Sequence, residues 1–158
     1  MDEFQIRLAT ISDIPAIMGL WNDLMTFHLP FNSFFELRAD AAEKFRVFLN
    51  SNIQNTDKAH VYVAVGTNQV IGYVMGLIHS TAPVFKIDQV GEIMDAFVAN
   101  EYRRHNLGER LFNELKKWFQ KQKVDRIDVS IAVGNSISST FWAKMGFKPL
   151  LQHLYLEI

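Results

Sequence analysis

A chain of 158 residues, 49% hydrophobic and 13% aromatic, is long enough for one domain with a substantial core and leaves little room for two. A net charge of −1 argues against a general nucleic-acid binder, which carries a strong basic excess. With no cysteine at all, disulfides, thiolate nucleophiles and cysteine zinc sites are excluded, and a reducing compartment fits. The opening MDEFQIRLAT lacks the basic and apolar regions of a signal peptide, and there is no run of about 18 apolar residues. A soluble cytoplasmic protein without a membrane partner is therefore expected.

In chain order, Phe4–Thr10 alternates Phe4, Ile6 and Leu8 with polar residues, a strand pattern. Ser12 or Asp13 then caps a helix with Pro15 in its first turn, where a missing N–H costs little. Ile14, Ile17, Met18, Trp21, Leu24 and Met25 form its apolar stripe. The segment LPFNSFFE reads as a loop whose Phe31, Phe34 and Phe35 either wall a substrate pocket or, the reading favoured, pack into the core, and residues 38–52 as a second amphipathic helix. His60–Val65 and Gln69–Ile78 flank Gly-Thr-Asn as a hairpin, and Gln89–Val98 is a third strong strand. After Gly108 a helical stripe runs through Leu111, Phe112, Leu115, Trp118 and Phe119. Arg126–Val133 alternates as a strand, residues 135–147 form a short helix ending near Gly146, and LLQHLYLEI closes the chain as a last strand. The order β-α-α-β-β-β-α-β-α-β, without repeat or linker, predicts one mixed α/β sheet in a single domain over residues 1–158.

The stretch YRRHNLGERL gathers Arg103, Arg104, His105 and Arg110 around Gly108 at the start of a helix. A helix start exposes unpaired N–H groups and partial positive charge, and phosphate binds there readily. Gly108 lets an anion approach the backbone, and Asn106 tolerates the left-handed conformation that shapes an anion nest. The same ten residues also read as a solvated basic helix start, and neither the P-loop nor the GxGxxG pattern is present.

The wider context resembles the GNAT superfamily, the acetyl-CoA-dependent N-acetyltransferases. FVANEYRRHNLGERLFNEL is similar to the family's Arg/Gln-x-x-Gly-x-Gly/Ala signature between a strand and a helix, here Arg103-Arg104-His105-Asn106-Leu107-Gly108. VGNSISSTFWAKMGF resembles the next block, and IRLATISDIPAI the usual opening. The resemblance implies a mostly antiparallel, twisted sheet flanked by about four helices, with splayed central strands forming a cofactor cleft. It implies acetyl-CoA as co-substrate, with its pyrophosphate on the backbone from Arg103 and Arg104 through His105, Asn106, Leu107 and Gly108 to Glu109 and Arg110. The pantetheine would lie beyond Phe97 and Val98, with the Val98 N–H facing the thioester carbonyl and Asn135 bonding the arm or nearby backbone. A homodimer, common among such folds, is the assembly the resemblance suggests.

Two positions depart from the family pattern. Asn106 replaces the first glycine, and Trp142 stands where the family usually has a tyrosine proposed to protonate the departing thiolate. Indole has no proton to give at neutral pH, so Trp142 is read as packing against cofactor or core. A thiol of pKa near ~8.5 leaves tolerably unaided, and water, Ser138, Ser139 or Thr140 are alternative acids. For the base, Glu92 and Asp95 stand in an otherwise apolar strand, where ionised groups are costly. Strand alternation places them on opposite faces unless a bulge intervenes. A water chain and His79 are further candidates, and the histidine spacing suggests no metal site. The expected activity is acetyl transfer to a primary amine, small or protein-borne. The alternatives are a non-catalytic acyl-CoA-binding or regulatory domain, and a small nucleic-acid module disfavoured by the charge.

Overall fold

The computed structural model describes residues 4–158. Five strands form one sheet in the order β1 (Gln5–Leu8), β2 (Ala59–Gly66), β3 (Gln69–Ser80), β4 (Gln89–Val98) and β5 (Ile127–Val129). The first three pairings are antiparallel and β4 with β5 is parallel. The sheet is thus mixed and mostly antiparallel. Four helices flank it: α1 (Ile14–His28), α2 (Ala41–Gln54), α3 (Leu107–Lys121) and α4 (Ser136–Lys144).

Each helix buries the stripe its sequence spaces at helical period. On one face, Ile17, Leu20, Trp21 and Leu24 of α1 pack on Val61, Val63, Tyr73, Met75 and Phe97. Phe45 of α2 stacks on Trp21, with ring centroids 4.4 Å apart. On the other face, Leu111, Leu115 and Phe119 of α3 pack on Ile71, Val74, Ile78 and Ile93, with Trp142 of α4 in the same cluster. Contact is close enough that a Cβ on Gly91 would lie 2.5 Å from the Phe119 ring.

Four expectations need correction. The strand predicted at Arg126–Val133 pairs over three residues only, because its later residues leave β4. The closing LLQHLYLEI has strand periodicity but forms no strand within this chain. Phe34, expected in the core, is 84% exposed. Finally, Met75 pairs with Asp95 while the next residue, Gly76, pairs with Ile93, so Met94 is an extra residue in β4. That bulge cancels the alternation and puts Glu92 and Asp95 on the same face, the one covered by α1 and α2.

The entry into α1 is fixed by charge. Asp13 occupies the cap position and Pro15 the first turn. The Asp13 carboxylate turns backward, however, to accept two bonds from the Arg7 guanidinium at 2.7 and 2.8 Å and one from the Thr10 N–H at 2.7 Å. These donors hold its pKa at about 2, with the Arg7 hydrogen bonds as the largest cause. At the far end of the β2–β3 hairpin, Gly66 pairs with Gln69, so the turn is Thr67-Asn68, with φ of 44° and 68°. Both residues sit in the left-handed region, which suits asparagine and disfavours β-branched threonine.

Because the Asp13 pKa is lower folded than unfolded, its contribution is present above about pH 4 and fades as pH falls through about 2. Arg7→Ala should therefore cost about 2 kcal/mol at pH 7 in urea unfolding and flatten the acid limb. The double change Thr67→Asn, Asn68→Gly should add about 1 kcal/mol, read as a rise of roughly 2–4 °C in melting temperature.

Candidate active site

The site is built where β4 and β5 part. Pairing holds at Gly91–Ile127, Glu92–Asp128 and Ile93–Val129 and then stops, next to the Met94 bulge. Beyond it, β4 keeps β3 on one side and opens on the other. Ala99 N–H donates to Ile71 on β3, 2.9 Å, so by alternation the polar backbone groups of Val98 point to the open side. In keeping with this, the Val98 carbonyl accepts a bond from Arg103 Nε at 3.0 Å. The result is a cleft of about 340 Å³, walled by Ala96, Phe97 and Val98 on one side and by Asn135, Ser138, Phe141 and Trp142 of the α4 region on the other.

The far end of the cleft is the turn into α3. Arg104 has φ 72° and Asn106 φ 55°, so two non-glycine residues hold the left-handed conformation within three positions. Such alternation gathers successive N–H groups into a concave nest. The first intrahelical bond of α3 is from Arg110 N–H to the Asn106 carbonyl, and Asn106 gives no side-chain cap. The amides of Leu107, Gly108 and Glu109 therefore lack a helical partner. All three residues, with Arg104 and Asn106, line the cleft. Uncapped amides, a helix dipole and a guanidinium make a donor set that fits a phosphate group.

The basic residues of this turn divide in their tasks. Arg103 is turned back onto Val98 and lies over the Phe97 ring, 5.4 Å from its centroid. Arg110 donates to the carbonyl of Phe4 at 2.7 Å, and His105 packs against the Phe4 ring at 5.4 Å. Glu109 pairs with Lys144 of α4. Among the described residues, Arg104 is the arginine of the turn whose side chain has no hydrogen-bond partner in the chain. Gly108 has a packing reason as well as an anionic one: a Cβ there would lie 3.2 Å from the Phe141 ring.

Asn135 is buried and caps α4. Its Oδ1 accepts from the Ser138 N–H at 3.1 Å, and its Nδ2 donates to Ser138 Oγ at 3.0 Å. Trp142 is also buried, edge-on to Phe112, Phe141 and Phe147 at 4.8 to 5.5 Å. It lines the cleft and belongs to the core at once.

On the α1 side, the two acids differ in environment. Glu92 is partly exposed and its carboxylate lies 3.2 Å from His79 Nε2. Asp95 accepts a bond from the hydroxyl of Tyr73, 3.2 Å away, and burial pushes its pKa up to about 6 despite that bond. Tyr73, fully buried, lines the cleft together with Leu24 and Phe27 of α1. Sequence reasoning missed Tyr73, although a tyrosine inside the apolar run YVMGLI needs a partner for its hydroxyl. Among the described residues no cluster of three His, Asp or Glu is placed to hold a metal, and no helix is long and apolar enough to cross a membrane.

Comparison with known proteins agrees with this architecture. The family model described as "Acetyltransferase (GNAT) family" matches residues 21–147. An N-alpha-acetyltransferase of Sulfolobus acidocaldarius is 25% identical over 161 residues, covering 98% of this chain and 86% of that protein. A mutant of the BH1408 protein of Bacillus halodurans superposes with a TM-score of 0.84 at 19% identity, over 98% of this chain and 99% of that one. AAC(6')-Iy in complex with the bisubstrate analog CoA-S-monomethyl-acetylneamine gives 0.77 at 16% identity, over 99% and 98%. With a family model spanning most of its length and a parted β4–β5 pair leading to an open helix start, the chain belongs to the GNAT acetyltransferase family.

Proposed function

We propose that this protein transfers an acetyl group from acetyl-CoA to a primary amine, by direct attack of the amine within a ternary complex. The observation that carries the proposal is the joining, in one cleft, of the uncapped α3 amides with the outward-facing backbone of Val98. In this reading Leu107, Gly108, Glu109 and Arg104 hold the coenzyme's diphosphate, and the apolar walls at Phe97, Phe141 and Trp142 receive the pantetheine arm. The Val98 N–H then donates to the thioester oxygen as negative charge develops there, which is preorganised electrostatic stabilisation. The bisubstrate complex of the structurally similar AAC(6')-Iy, a coenzyme joined to an acetylneamine, is consistent with attack in a ternary complex.

Asp95 is the proposed base. Its carboxyl is withdrawn from water, so at pH 7 it is mostly ionised yet more basic than an ordinary aspartate. Tyr73 connects it to the cleft wall and fixes its orientation. Neither carboxylate is itself among the cleft walls; Asp95 reaches the wall through Tyr73, whereas Glu92, on the same face, is paired with His79. For the leaving thiolate, Ser138 replaces the tyrosine that Trp142 displaces, since of Ser138, Ser139 and Thr140 it is the one that lines the cleft. Its Oγ already accepts from Asn135 Nδ2, which leaves its own proton free to donate into the cleft. The acceptor is an amine that reaches the cleft beside Leu24 and Phe27 of α1.

The primary test is release of free thiol from acetyl-CoA over a panel of small amines and peptides; binding without thiol release would favour an acyl-CoA sensor instead. Asp95→Asn should lower kcat/KM by about 100-fold or more and abolish a rising limb centred near pH 6, whereas Glu92→Gln should change it less than about fivefold. Gly108→Val should weaken coenzyme A binding at least about tenfold by calorimetry, and Phe141→Leu should recover part of the loss in the milder Gly108→Ala background, because the added Cβ meets that ring.

A further inference from the structure

Among the described residues, Glu109 is the one acidic residue on the walls of the cleft, and it stands where an anion is to be held. Its own N–H belongs to the uncapped start of α3, one side-chain length from its carboxylate. An acid in the first turn suits the helix dipole, but it opposes a second negative charge brought to the same amides. Lys144 ends α4, where a cation suits that helix's dipole in the same way. Each charge could have served its own helix alone. Instead the two meet across the mouth of the cleft, Lys144 Nζ lying 3.3 Å from Glu109 Oε2 although 35 residues separate them in sequence. Beside them Gly108 faces Phe141, 3.2 Å from an added Cβ, so the start of α3 and the second half of α4 are held together. Lys144 therefore reaches the anion site from the opposite wall.

This pair is suited to exchange. Lys144 is 67% exposed and Glu109 39%, and an ion pair so open to water contributes little. A diphosphate carries more charge than a carboxylate, and its oxygens would already be fixed by the neighbouring amides, so it competes well for the ammonium. Lysine fits the task, as a point charge with three donors on a flexible stem. Arg103 and Arg110 do not, because the carbonyls of Val98 and Phe4 already hold them.

We propose that Lys144 is a swing cation: it pairs with Glu109 when the cleft is empty and turns to the coenzyme's diphosphate when the cleft is filled. The proposal rests on the acetyl-transfer reading, which supplies the coenzyme, and adds to it a residue and a counter-charge. Glu109 is then a competitor built into the site. It takes Lys144 back as the spent coenzyme leaves, and its repulsion limits how long the phosphate is held.

The signature of a swing is the sign of the coupling between the two side chains. In calorimetry with coenzyme A, Lys144→Gln should weaken binding at least about fivefold, and Glu109→Gln should tighten it about threefold. Lys144→Gln should then cost more in the Glu109→Gln background than in the natural chain, since there the ammonium has no other partner to leave. A cation that only neutralised Glu109 would cost less there. The loss should persist with dephospho-coenzyme A, which keeps the diphosphate and lacks the 3′-phosphate. With an amine-reactive ester read by mass spectrometry, coenzyme A should slow labelling of Lys144 at least about fivefold and leave the exposed Lys116 of α3 unchanged. A cost in the Glu109→Gln background equal to or below that in the natural chain, a loss that vanishes with dephospho-coenzyme A, or undiminished labelling of Lys144 would each overturn the proposal. A natural chain that binds no coenzyme A would instead bring down the acetyl-transfer reading, and the swing with it; binding without the Lys144 pattern would leave that reading standing.

Discussion

The parting of β4 from β5 after Ile93 and Val129 is the constraint on which everything else in the molecule depends. A continuous parallel pair would use the backbone groups of Val98 in a ladder and close the space between the strands. Instead the Met94 bulge twists β4 at the point where pairing stops, and α4 fills the far side with Phe141 and Trp142. The opening is kept from collapsing by aromatic packing: Phe112, Trp142 and Phe147 form a rigid edge-to-face cluster behind one wall, and Tyr73 and Phe97 stand behind the other. A slot between strands is ordinarily expensive, since it leaves amides unpaired. Here the unpaired amides are the ones a thioester and a diphosphate can satisfy.

Much of the fold was legible because periodicity and burial agree. The stripes of α1 and α3 and the β2–β3 hairpin are where their apolar spacing puts them, and the family blocks appear in the expected order. What could not be read belongs to relations between distant segments. The bulge at Met94 is defined by the register of β3 against β4, so no local pattern in β4 reveals that Glu92 and Asp95 share a face. LLQHLYLEI alternates as a strand does, yet alternation describes side chains and says nothing about which edge supplies the partner. Phe34 is apolar but falls in a loop that turns it outward. At the site, the helix start and its left-handed Asn106 were readable from residue type, while the division of labour among three arginines was not, because Arg103 and Arg110 bind carbonyls that only the folded chain brings near.

The turn before α3 also shows how backbone strain and function sit together. Asn106 adopts φ 55° readily, but Arg104 at φ 72° is a long side chain in a region that usually costs it about 1 kcal/mol or more. The neighbouring contacts hold it there: Arg103 is tied to Val98, His105 to Phe4, and Gly108 sits against Phe141. In effect β1, β4 and α4 share the work of shaping one turn. Substituting asparagine for the usual first glycine is compatible with this geometry because the required dihedral is one that asparagine tolerates.

One of those ties has a mechanical meaning. Arg110, one turn into α3, grips the main-chain oxygen of Phe4, immediately ahead of β1, and the Phe4 ring rests on Tyr102 and His105. Tension applied at Phe4 therefore reaches the turn into α3 through Arg110 as well as the sheet through β1. A displacement of Phe4 thus shifts the start of α3, which lines the cleft, together with the edge strand of the sheet.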